Sequence, residues 1–284
     1  QKIQWERTNQ RAPEQVTTVQ VIPDTIDVNG DSLSFRGRAE GQVFQVFYKL
    51  ASQEEQTYFQ ELTDLVQLEV DAEVSQPADQ RNFNGFDYQA YLKTQGIYRT
   101  VKISTINNIL PIHSWNIFDW LSTWRRQVLV YIKSHFPAPM SHYMTGLLLG
   151  ELDSDFDQMS DLYSSLGIIH LFALSGMQVG FFIDKFRWLL LRLGLTKETV
   201  DKLQIPFSLV YAGLTGFSVS VVRSLVQKIL GNLGLRKLDN FAATVFVCLL
   251  IMPRFLLTAG GVLTFTYALL LTVFDFEELR QLKK

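Results

Sequence analysis

The stretch Val28-Asn29-Gly30-Asp31-Ser32-Leu33-Ser34-Phe35-Arg36-Gly37-Arg38 decides how the first part of this chain is read. Asn-Gly between two runs of apolar and β-favouring residues marks a hairpin, because both types tolerate the positive φ of a tight turn. The run Val16–Val28 lies before it and Ser32–Arg38 is its partner strand. Gln42–Lys49, with Val43, Phe44, Val46, Phe47 and Tyr48, reads as a third strand. Glu54–Leu65 places Tyr58, Leu62 and Leu65 at helical spacing. Alternation returns in Val66–Val74, and Ile97–Ile106 is a last strand. Between those two lies Arg81–Gly96, expected to hold a turn and a short helix. Five strands with a helix between the third and fourth is the order of a small OB-like barrel, an order other small barrels share.

Barrels of that kind often bind single strands through aromatic platforms and basic grooves. The candidates are Tyr48 and Phe47 with Arg36, Arg38, Lys49, Arg99 and Lys102. An aromatic residue on an alternating strand is more often core than platform. Residues 1–110 also carry a net charge of −5, which argues against broad phosphate contact.

The remaining residues, 111–284, carry a net of +3 and read quite differently. Trp115–Phe136 forms an amphipathic helix, with Trp115, Phe118, Leu121, Trp124 and Val128 on one face and Arg125 and Arg126 on another. It suits either a membrane interface or the surface of a protein core. Apolar runs follow at Met144–Gly150, Leu166–Ile183, Pro206–Val222, Phe241–Leu257 and Gly260–Phe274. Several approach the ~20 residues a membrane-spanning helix needs, so the expectation is an all-α polytopic membrane domain. The fold class is thus two-part, an all-β barrel over 1–110 followed by helices over 111–284. Gly146 with Gly150, and Ala173 with Gly176 and Gly180, form stripes of small residues that let helices approach closely, and Gly213 and Gly216 thin another run.

The single cysteine, Cys248, excludes an intrachain disulfide and a cysteine zinc site. No metal site and no cofactor is expected. No GxxxxGK[ST] loop is present, so an ATP-driven motor would be a separate protein. The chain begins at Gln1 without an initiator Met and ends on Lys283–Lys284 just after an apolar run, so it reads as a segment of a longer protein.

Gly167-Ile168-Ile169-His170-Leu171-Phe172-Ala173-Leu174-Ser175-Gly176-Met177-Gln178-Val179-Gly180 resembles the signature of the ComEC family of competence proteins. Gln178 stands where that signature has a second histidine; an amide there hydrogen-bonds but does not shuttle protons. Leu214-Thr215-Gly216-Phe217-Ser218-Val219-Ser220-Val221-Val222-Arg223-Ser224 resembles a second family segment, with Ser224 in place of an alanine. Gly146–Gly150 with Glu151 and Asp153, and Asn84-Gly85-Phe86-Asp87-Tyr88 through Gly96-Ile97, resemble two more, all in the family's order.

The resemblance implies an extracytoplasmic OB-like domain and a multi-pass part in the bacterial cytoplasmic membrane, together carrying single-stranded DNA into the cytoplasm during natural transformation. His170, Ser175, Gln178 and Arg223 are the polar groups expected along the DNA path, as hydrogen-bond donors and counter-charges. The expected partners are single-stranded DNA, the lipid bilayer, a DNA receptor, an ATP-driven motor and a second copy of the chain. A metallo-β-lactamase-like nuclease domain is expected only downstream, so no catalytic residue is assigned. Ser175 and His170 are five residues apart, ~140° around a helix, which disfavours a hydrolytic pair. The alternative reading is an OB-like module that binds DNA or a partner while the helices anchor it.

Overall fold

The computed structural model describes residues 15–78, 85–151, 165, 176–251 and 258–274. It divides into two compact units, Gln1–Pro137 and Ala138–Lys284. The division falls after the amphipathic helix, whereas the sequence reading placed it at Leu110.

The first unit is built on β1 (Gln15–Val21), β2 (Asp27–Asn29), β3 (Ser32–Ala39), β4 (Gln42–Lys49), β5 (Val66–Ser75) and β6 (Thr100–Pro111). Pro23 opens a short 3-10 turn, Pro23–Thr25, and so divides the expected run Val16–Val28 into β1 and β2. Asn29 pairs with Ser32 across the turn at Gly30 and Asp31, where Gly30 has φ +58°. The sheet order is β1-β5-β6-β4-β3-β2. Added pairing of Gln20 with Arg38 and Val21 with Gly37 closes five of these strands into a barrel. β4 and β6 run parallel, and every other pairing is antiparallel. Helix α1 (Gln53–Glu61) connects β4 to β5, and helix α2 (Tyr88–Thr94) lies between β5 and β6. A parallel third-to-fifth pairing with the helix after the third strand is the connectivity of an OB-like barrel.

The barrel interior follows the period of two in the sequence. On β3, Leu33 and Phe35 point inward, and on β4 Phe44, Val46 and Tyr48 do so. They meet Val19, Leu68, Val101 and Phe59 of α1 in one core. Gly37 is required at the closing seam. A Cβ there would fall inside contact distance of Val19 Cγ1 and 3.2 Å from Val46 Cγ2.

Helix α3 (Ile117–His135) begins at Asn116, whose side chain accepts from Phe118 N at 3.0 Å. Its buried face combines Leu121, Leu129 and Ile132 with Asp119, Arg125 and Arg126. Arg126 is buried and donates to the main-chain oxygens of Leu62, Ile26, Phe59 and Gln60 at 2.9, 3.2, 2.9 and 2.8 Å. Three of those carbonyls belong to the C-terminal end of α1, where a helix leaves acceptors without donors and where a cation is favoured. Arg125 pairs with Asp24 at 3.0 Å, and Ser122 hydrogen-bonds the same carboxylate. The helix therefore buries charged and apolar side chains together. Its arginines face protein, while Ile117, Phe118 and Trp120 are exposed.

The second unit is helical: α4 (Ala138–Met144), a π-helical turn at Thr145–Leu149, α5 (Gly176–Arg192), α6 (Lys197–Leu214), α7 (Val219–Asn232), α8 (Lys237–Ile251) and α9 (Ala259–Val273). Val179, Ile183, Tyr211, Ala212, Val221 and Leu225 form the core shared by α5, α6 and α7. Phe186 and Phe207 stack at 3.7 Å, Arg187 pairs with Asp201 at 2.9 Å, and Lys228 pairs with Asp184.

The expected polytopic membrane domain is corrected here. Among the described residues no helix is long and apolar enough to cross a membrane. The apolar run Pro206–Val222 is divided where α6 ends, with Gly216 and Phe217 at φ +66° and +52° before α7 begins. Helix α6 reaches 18 residues only by including Lys197, Glu198, Asp201 and Lys202. Helix α9 has 15 residues, about 22 Å at the α-helical rise, against a hydrocarbon thickness of about 30 Å. Apolar composition alone had suggested a span over Pro206–Val222 that a helix boundary interrupts; the runs Leu166–Ile183 and Phe241–Leu257 lie partly outside the described residues.

Candidate functional site

The outer face of the barrel across β3, β4 and β6 gathers several of the residues read from the sequence. Because Phe44, Val46 and Tyr48 occupy the inward phase of β4, Phe47 and Lys49 take the outward one. Phe47 is paired in register with Ser34 on one side and Lys102 on the other, and Lys49 with Ser32. Asp31, Ser32, Phe47, Lys49, Thr100 and Lys102 are among the residues that line a shallow depression of about 530 Å³. Ser75 Oγ and Thr100 Oγ1 are 2.9 Å apart on its floor.

The cations of this face have acidic neighbours. Lys49 Nζ lies 3.2 Å from Asp31, with both side chains largely exposed, and Lys102 is cross-strand from Glu73. Exposed pairs of this kind contribute about 0–1 kcal/mol, so the lysines can exchange a carboxylate for a phosphate at small cost. The two lysines of this face are thus matched by two carboxylates, with one aromatic ring, Phe47, between the lysines.

The other barrel candidates have different placements. Tyr48 is 8% exposed and lies in the core, its hydroxyl donating to Glu55 at 3.4 Å. Burial first, and then the Glu55 carboxylate, push that phenol up from its ordinary value. Arg38 is held by Asp119, which also accepts from Ser114 at 2.7 Å and from Gln20 at 3.5 Å. Arg36 donates to Gln95, just after α2. Arg99 is partly exposed immediately before β6. The sequence named Tyr48 and Phe47 together; counting the period of two along β4 from Phe44 is the signal that separates them, Tyr48 inward and Phe47 outward.

In the helical unit, Arg223 of α7 is half-buried. Its Nε donates to Thr264 Oγ1 at 3.0 Å and Nη1 to Gln227 Oε1 at 2.7 Å. Burial pulls its pKa down from the ordinary guanidinium value. No carboxylate among the described residues forms an ion pair with it. Gln178 is half-buried on α5 beside the fully covered Val179. His170, Ser175 and Ala173 lie outside the described residues. Gly176 is the first described residue of α5, and among the described residues a Cβ on Gly180 would meet nothing within 4 Å. Gly150 and Gly216 follow the ends of their helical segments at φ +68° and +66°, which gives them a helix-terminating role. Gly146 is buried in the π-helical turn and Gly213 in α6.

Residues 147–284, which contain the half-buried arginine and the glycine-terminated helices, match the family described as Competence protein. ComE operon protein 3 of Bacillus subtilis (strain 168) is 25% identical over 269 residues, 91% of this chain, so the likeness extends through the barrel. The chain belongs to the ComEC family of competence proteins. It spans about a third of the length of that curated relative, 34%. No solved structure matches it.

Proposed function

We propose that this chain acts in the DNA uptake of natural transformation, as part of the route by which single-stranded DNA passes the bacterial cytoplasmic membrane. Membership of the ComEC family is the observation that carries the proposal. Arg223 supports it. A half-buried cation held by two neutral side chains keeps its charge available to an anion, and a strand entering a poorly polar region needs such counter-charge. Gln178, with His170 and Ser175, completes the polar set assigned to that route. The outward side chains of Leu250, Leu263 and Tyr267 suit association with a membrane, with the barrel on its outer side. A DNA receptor, an ATP-driven motor and a second copy of the chain are the proposed partners. Family membership by itself assigns no enzymatic step to the chain.

The test is uptake of labelled DNA into cells lacking the gene, with surface-bound DNA scored separately. Retained binding with lost entry is expected. Unchanged entry would refute the proposal. Arg223→Gln in the complemented strain is expected to reduce entry at least ten-fold at normal protein level. Full entry in that variant would remove Arg223 from the route.

A second reading is favoured by the row Ser34, Phe47 and Lys102 on the outer barrel face, with Lys49 one position on. It makes the barrel a capture module for single-stranded DNA. Titration of the full chain with a thymidine oligonucleotide tests it directly.

A further inference from the structure

Helix α2 and its approach carry three aromatic rings close together. Phe86 and Tyr91 have ring centroids 5.5 Å apart, and Tyr88 and Tyr91 stack at 6.4 Å with planes 26° apart. Phe86 is 73% exposed and Tyr91 44%. The short helix beneath them is firmly seated. Asp87 caps it by accepting from Ala90 N at 2.8 Å. Leu92 and Ile97 are buried, and Ile97 N closes back on Leu92 O at 2.9 Å. Gly96 makes that return with φ +83°. The guanidinium of Arg36, on the outer side of β3, is hydrogen-bonded to Gln95, the residue that follows α2.

We propose that Phe86, Tyr88 and Tyr91, with Arg36 beside them, form a stacking platform for the unpaired bases of a single DNA strand. This rests on the reading of the barrel as a capture module and says which part of the strand it holds. Exposed aromatic rings on a buried anchor lose little freedom when a flat partner lands on them. Bases are flat and polar-edged, and the residues around the rings (Asp87, Gln89, Lys93, Thr94) are polar, which suits bases and not acyl chains. The platform lies in the connection between β5 and β6, one of the two loops with which barrels of this connectivity hold oligonucleotides. The depression on β4 and β6 has two lysines, each with an acidic neighbour. Contact through bases explains how an acidic barrel can hold a polyanion.

The experiment titrates the full chain with a fluorescein-labelled thymidine oligomer of about 16 nucleotides and with an abasic oligomer of the same length and charge. Wild-type chain binds the thymidine oligomer at least ten-fold more tightly than the abasic one. Phe86→Ala and Tyr91→Ala each weaken thymidine binding by roughly five- to a hundred-fold, with the unfolding midpoint unchanged, and Tyr91→Phe restores it. Three results overturn the proposal. If both alanine variants bind as wild type while Lys49→Glu or Lys102→Glu loses binding, the platform is wrong and the capture module stands. If the wild-type chain binds neither oligomer, the capture module fails and the platform with it. If the alanine variants bind DNA normally but lose affinity for anionic phospholipid vesicles, the rings belong to a lipid surface.

Discussion

Arg126 Nη2 donates to the main-chain oxygen of Phe59 at 2.9 Å, across 67 residues of sequence. The same guanidinium satisfies Gln60, Leu62 and Ile26. Arg126→Met keeps the aliphatic stem and removes every donor, leaving buried carbonyls without partners. The expected loss is about 3 kcal/mol of unfolding free energy, read from urea denaturation of the full chain. Arg126→Lys should recover little of it, because one ammonium cannot reach four acceptors set by a planar fork. A loss below about 0.5 kcal/mol in the methionine variant would mean that water replaces the arginine.

Asp119 gives the barrel a pH dependence. Burial alone would raise its pKa, but hydrogen bonds from Ser114 and Arg38, the Arg38 charge and Gln20 outweigh that and hold it below the ordinary carboxylate value. A carboxyl with a depressed folded pKa stabilises fully above its unfolded pKa, about 4, and loses that contribution as pH falls through the folded value. Asp119→Asn should therefore be less stable than wild type at neutral pH. The gap should close in the acid range below about pH 4, in unfolding measured across pH. A gap constant with pH would mean that the charge is not what matters.

Gly37 tests the barrel seam. Alanine there collides with Val19 and crowds Val46. Gly37→Ala should cost about 1–3 kcal/mol, and adding Val19→Ala should relieve the collision. Thermal unfolding of the two single variants and the double variant measures the coupling between them.

The lysines of the outer face should set the salt response of strand binding. Each phosphate contact to a single strand contributes a slope of about 0.7 in log affinity against log salt. Lys49→Gln with Lys102→Gln should flatten the slope by about 1.4. An unchanged slope would remove both lysines from the interface.

The barrel was legible because each of its signals is local. The Asn29-Gly30 turn, the alternation of β3 and β4, and the helix before β5 all appear in short windows of sequence. What turns on distant pairing was not. Arg125 and Arg126 read as a polar face turned toward water or headgroups, because nothing within their own helix shows that Asp24 and the end of α1 await them. The membrane spans failed for a related reason. Hydropathy reports which residues are apolar, while the left-handed turn at Gly216 and Phe217 decides where a helix stops. Arg38 was a fair candidate for a phosphate until Asp119, 81 residues away, took its charge.

The dependence of α1 on Arg126 also bears on how the protein is made. A ribosome that has released the last barrel strand has not yet delivered the donor that the end of α1 requires. Until residue 126 emerges, those carbonyls must stay with water, and the nascent barrel cannot settle. Fragments cut after β6 should behave as incomplete folding units, sensitive to proteases, whereas fragments cut beyond Pro137 should be resistant. The first unit matures when its helix arrives.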